Sequence, residues 1–150
     1  MFSTGYVLAI WGTVMAALIP GIGSALSVSK AGQTVAGLTA EQHKSFFRAF
    51  VISLLPATQG LYGFVVAIMI NNKISAELTM PEGWGLFLAA LPVAIGGFFS
   101  AIYQSNIARA SIQLLSKQPN SSARGMMLTG IVEMYAILGF VISMFILNNV

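Results

Sequence analysis

The chain has 150 residues, of which 57% are hydrophobic and only 7% charged, with a formal net charge of +3 and a mean hydropathy of +0.84. This composition belongs to an integral membrane protein and excludes a water-soluble domain. The absence of cysteine removes disulfides, thiolate chemistry and Cys-ligated metals. The few charges sit beside apolar spans, so the positive balance reports topology rather than nucleic-acid binding.

In chain order, the first apolar span covers about residues 5–29 and meets no charge before Lys30. It lacks the basic leader of a signal peptide and is too long for an h-region, so it reads as a retained helix. Further spans cover about 49–72, 83–108 and 125–148. Each is long enough, at about 1.5 Å per residue, to cross a hydrocarbon core of about 30 Å. The expected fold is an all-α membrane protein of four transmembrane helices. The first and third spans are rich in small residues, among them Gly12, Ala16, Gly23, Ala94, Gly97 and Ala101, which permit close helix approach in lipid. Trp11 and Trp84 are candidate interfacial anchors.

The connectors fall at about 37–45, 73–81 and 116–123. Lys30, Lys44, Arg48, Arg109, Lys117 and Arg124 flank the first and third, whereas Lys73 alone, with Glu77 and Glu82, marks the second. The positive-inside rule then places loops 37–45 and 116–123 in the cytoplasm and both termini outside, in a multi-pass protein of the cell membrane.

The chain also repeats. An ungapped offset of 76 residues brings Ser24-Ala25 onto Ser100-Ala101, Ser29 onto Ser105, Arg48 onto Arg124 and Gly63-Phe64-Val65 onto Gly139-Phe140-Val141. The unit is a helical hairpin, present as tandem copies at 1–74 and 75–150. Both copies point the same way through the membrane because each holds two spans.

One charge lies deep in a span: Glu133, in the fourth. An intramembrane carboxylate is costly unless it is protonated, paired or bound to a cation, and so marks a functional site. With the second hairpin's turn midway between Gln118 and Pro119, Gln104 and Glu133 lie at one depth, roughly 20 Å along each helix. The first hairpin's turn falls between Gln42 and His43. At matching depth on its outgoing helix, Leu55, Thr58, Gln59 and Tyr62 share a face at i, i+3, i+4 and i+7. A carboxylate, two amides, a hydroxyl and a phenol thus gather at one level.

Oxygen ligands suit a hard cation, and one carboxylate balances one positive charge, which favours Na⁺; a proton competes for the same group. Pro56 supplies no N–H and leaves the Ile52 carbonyl without its helical partner. His43, in a polar turn, has no second His or Cys nearby for a metal. No phosphate-binding loop is present, so the chain is not an ATP-hydrolysing enzyme on its own. A proton-carrying subunit and a small four-helix proton-coupled exporter remain alternatives to a Na⁺ carrier.

The segments LLPATQGLYGFV and IVEMYAILGFVIS, with SAIYQ between them, resemble the duplicated rotor-ring proteolipids, or K subunits, of bacterial Na⁺-translocating V-type ATPases. The resemblance covers essentially the whole chain. It implies a homo-oligomeric ring that binds one Na⁺ per protomer and carries it across the bilayer while ATP is hydrolysed elsewhere in the complex. The implied ligands are the Leu55 carbonyl, Thr58, Gln59, Gln104 and Glu133, with Tyr62 hydrogen-bonded to the carboxylate and no organic cofactor. The implied partners are a stator subunit with a membrane Arg, a central stalk at the cytoplasmic loops, and lipid. Glu133 falls on Ala57 in the first copy, so each protomer has one carboxylate where an unmodified duplication would have two.

Overall fold

The computed structural model describes residues 3–41 and 43–150. In order, these form α1 (Thr4–Glu41), a 3₁₀ turn (His43–Ser45), α2 (Phe46–Leu54), a second 3₁₀ turn (Leu55–Ala57), α3 (Thr58–Asn71), α4 (Met80–Lys117) and α5 (Ser122–Asn148). With α2 and α3 read as one span, Phe46–Asn71, four helices are long and apolar enough to cross a membrane. A helix satisfies its own backbone groups, which hydrocarbon cannot do. Among the described residues there is no strand. The expected turn point between Gln42 and His43 involves Gln42, which lies outside the described residues.

Both first helices overrun the apolar spans. α1 continues past Lys30 to Glu41, and α4 past Arg109 to Lys117, each reaching 38 residues. At 1.5 Å per residue that is about 57 Å, nearly twice the hydrocarbon thickness. A charge ends an apolar run but not a helix, and the Ala, Gln and Leu residues that follow Lys30 and Arg109 are good helix formers. The connectors therefore shrink to a 3₁₀ turn and to residues 118–121, bridged where Arg48 donates to the Pro119 carbonyl at 2.6 Å.

α1 lies along α4, and each hairpin's outgoing helix packs on its own first helix. Two glycines allow this at equivalent places. A Cβ on Gly63 would sit 2.2 Å from the Ala16 carbonyl oxygen, and one on Gly139 would sit 2.6 Å from that of Pro92. Ala16 and Pro92 are themselves 76 residues apart. Two apolar cores result, one around Val66, Ile70, Leu86 and Leu147, the other around Val35, Ile52, Ile112 and Leu115. Between them lies a buried polar layer containing Ser24, Ser27, Gln59, Ser100, Gln104 and Ser105.

Candidate ion-binding site

The polar layer is built where the outgoing helix of the first hairpin breaks. Pro56 cannot continue the α-helical ladder, and the chain tightens into the 3₁₀ turn Leu55–Ala57. The tightening gives the Ile52 carbonyl a partner after all, the N–H of Leu55. The Leu55 carbonyl in turn accepts from both the N–H and, at 2.9 Å, the hydroxyl of Thr58. The Thr58 oxygen, its proton committed, keeps its lone pairs for another partner. Gly60 N–H finds the Ser24 hydroxyl at 2.8 Å, which ties the start of α3 to α1.

Gln59 and Gln104 are fully buried. Gln104 Nε2 donates to the Thr129 carbonyl at 3.1 Å, and Gln59 Nε2 donates to Gln104 Oε1. The orientation of both amides follows from the end of that chain. A carbonyl can only accept, so Gln104 must present its nitrogen to Thr129 and its oxygen to Gln59. Gln59 then presents its own nitrogen, which leaves its Oε1 buried with no partner. A buried, unmatched acceptor costs about 1–3 kcal/mol and calls for a donor or a cation.

Glu133 is only half-buried. Its Oε1 accepts from the Tyr62 hydroxyl at 2.7 Å, and the Tyr62 ring leans on Phe140 with centroids 5.5 Å apart. Glu133 and Gln104 are within one helical turn of each other, since the carbonyl that holds Gln104 belongs to Thr129, four residues before the acid. The two side chains do not bond to one another. The predicted residues thus form two linked groups: the Gln59–Gln104 amides on the closed side, and Tyr62–Glu133 on the more open side. Leu55 and Thr58 sit at the helix break beside them.

Thr129 and Ser24 were not anticipated. Thr129 is fully buried, and its hydroxyl donates to the Gly125 carbonyl at 2.8 Å and lies 3.3 Å from that of Ser111. Its place one turn before Glu133 was a usable signal, as was the Ser24-Ala25 pair that recurs in the second copy. Among the described residues no three acidic or histidine side chains gather as a metal cluster, so neutral oxygens dominate the donor set.

The sequence model of the ATP synthase subunit-C family matches residues 7–70 and again 87–146. The V-type sodium ATPase subunit K of Enterococcus hirae is 41% identical over 145 residues, spanning 97% of this chain and 93% of that protein. The A-type ATP synthase subunit K of Methanocaldococcus jannaschii is 33% identical over 144 residues, covering 96% of this chain and 63% of that one. The 16 kDa proteolipid of the V-type proton ATPase of Homo sapiens is 18% identical over 136 residues, or 91% of this chain and 88% of its own length.

Proposed function

This chain belongs to the ATP synthase subunit-C family, and from that premise we propose that it is a rotor-ring subunit of a V-type ATPase that carries one Na⁺ per protomer. The two hairpins divide at about residue 74. The ion is held by the Leu55 carbonyl, Thr58, Gln59, Gln104 and Glu133, with Tyr62 orienting the carboxylate. The observation that carries this reading is the buried, unpartnered Oε1 of Gln59. A proton needs only the carboxylate and one hydrogen-bond partner, which Tyr62 already supplies. A spare oxygen beside two further neutral oxygens is what a hard monovalent cation uses.

With Na⁺ bound, the site is electrically compensated and can pass through lipid. Where the ring meets a stator, a membrane Arg of that partner competes for Glu133 and releases the ion into an aqueous path. The half-buried position of Glu133, outside the sealed amides, suits such an exchange. The ends of α1 and α4 that adjoin Lys44, Arg48, Lys117 and Arg124 face the cytoplasm, where the turns at 43–45 and 118–121 meet a central stalk, and both termini face outward.

The test uses a hydrophobic carbodiimide, which attacks protonated carboxyls in the membrane. Of the four acids it should modify Glu133 selectively, and added Na⁺ should slow the reaction. Protection should grow as pH rises and fewer protons compete. Modification indifferent to Na⁺ at every pH would withdraw the sodium assignment and leave a proton carrier.

A further inference from the structure

The two outgoing helices differ beside the acid as well as at it. In α5, Gly130 stands one turn before Glu133, about 4.5 Å nearer the turn at 118–121. Its counterpart in the first hairpin, 76 residues earlier, is the exposed Leu54. A Cβ on Gly130 would meet nothing within 4 Å, so no contact inside the chain requires a glycine there. Gly125 and Gly139 on the same helix are different, being pressed against Ile52 and Pro92. Glycine in a helix interior is less stable than alanine or leucine. The position therefore carries a helical cost that packing within the chain does not explain.

The missing side chain leaves a notch. A helical side chain covers the turn on the N-terminal side of its own Cα, so its absence uncovers the backbone around Met126 and Met127. Met127 and Met134, three residues before Gly130 and four after it, are exposed on the same face and form the ends of the notch. By the 76-residue offset, the Leu55 carbonyl of the helix break lies about level with it, and α5 packs beside that break. The notch opens onto the outer surface of the bundle and not into it, because Ile52 closes against Gly125 below. On the opposite side of the acid the approach is covered. There the Tyr62 hydroxyl holds Glu133 and its ring rests on Phe140.

Resting on the Na⁺-carrier reading, we propose that Gly130 is the port through which Na⁺ reaches Glu133 from the side of the 118–121 turn, cytoplasmic in the topology above. A cation giving up water needs oxygens along its way, and backbone carbonyls can replace part of a hydration shell. A helical carbonyl that already accepts one N–H keeps a second lone pair for this. A leucine at the same place would cover those oxygens with hydrocarbon. Leu54 does stand there in the hairpin whose equivalent of the acid is Ala57, where no ion has to enter. The role of Gly130 is kinetic. It eases entry and exit on one side and holds nothing, so a side chain there slows both directions and leaves the binding equilibrium alone.

Gly130→Ala and Gly130→Leu are made in the full chain. Neither side chain meets another inside the chain, and both are better helix formers, so the variants should melt at no lower temperature than the parent. In purified rings without a stator, the Kd for ²²Na⁺ should be unchanged. Exchange of bound ²²Na⁺ against unlabelled Na⁺ should slow several-fold in Gly130→Leu, with Gly130→Ala between it and the parent. In the complete ATPase, Gly130→Leu should raise the KM for Na⁺ several-fold, and excess Na⁺ should restore the maximal rate. Leu54→Ala, at the equivalent exposed place, should alter none of these. Exchange as fast in Gly130→Leu as in the parent overturns the port, as does a Kd that shifts as far as the exchange rate. A lower maximal rate with unchanged exchange assigns Gly130 to stator contact and also overturns it. In all of these the sodium reading stands, whereas a parent ring that binds no Na⁺ overturns that reading and this inference together.

Discussion

The two hairpins share one ancestry of pattern but supply opposite halves of the site. In the first, the outgoing helix breaks at Pro56, and the positions around the break offer only neutral oxygens: the Leu55 carbonyl, Thr58 and Gln59. In the second, Val132 stands where Pro56 would be, α5 runs unbroken, and Glu133 replaces Ala57. A carboxylate in both copies would place two charges in hydrocarbon, each needing its own counter-ion. The second copy carries the charge and the first offers neutral oxygens, so the proposed site lies between hairpins and not within either.

That division can be broken most directly at the acid. Glu133→Gln should leave the ring assembled and abolish ion transport, as read by ²²Na⁺ uptake into vesicles. Ala57→Glu, which restores the missing acid to the first copy, should not add a second bound Na⁺ per chain. Its counterpart wall offers Met134, Tyr135 and Leu138 where Thr58, Gln59 and Tyr62 would be required. Two ions per chain in equilibrium binding would refute the asymmetry.

A smaller effect separates the neutral ligands. Gln104→Leu removes one oxygen and also the group that orients Gln59, whereas Thr58→Val removes a single hydroxyl. At about 1.5–3 kcal/mol for an interaction with a charged group, each should weaken Na⁺ binding roughly 10- to 100-fold, with Gln104→Leu at the upper end. Measured at alkaline pH, where protons compete least, unchanged affinity in both variants would remove them from the ligand set. Protonation of Glu133 should respond far less.

The smallest effect lies at the helix starts, where the copies match. The Ser3 hydroxyl accepts from the N–H of Tyr6 at 3.1 Å, and one offset later Thr79 caps α4. The second cap differs by one carboxylate: Glu82 accepts from the Thr79 hydroxyl at 2.6 Å and from its N–H at 2.8 Å. Those donors, the hydroxyl foremost, hold the Glu82 carboxyl below its usual range. A lowered folded value means the contribution is present above the unfolded pKa and fades as pH falls through the folded one. Acid should therefore speed hydrogen exchange at residues 79–83 and leave the serine cap at 3–7 unchanged. Ser3→Ala should cost about 1 kcal/mol at any pH, measured by denaturant unfolding in detergent.

Much of this was legible before any tertiary structure was considered. The four spans, the level of Glu133 along its span and the spacing of Leu55, Thr58, Gln59 and Tyr62 follow from hydropathy and from the 3.6-residue period, both local properties of the chain, and the duplication follows from the 76-residue offset. Three features emerged only in the folded chain. α1 and α4 continue as helices well beyond the charges that end their apolar spans. The Pro56 break is a 3₁₀ turn that gives the Ile52 carbonyl a new partner. Gln104 bonds the Thr129 carbonyl and not Glu133, and this fixes both amides and leaves the Gln59 oxygen free. Periodicity gives the depth and face of a side chain on its own helix. It does not give the rotation of that helix against its neighbour, and a rotation of a few tens of degrees chooses between a carboxylate and a backbone carbonyl one turn away.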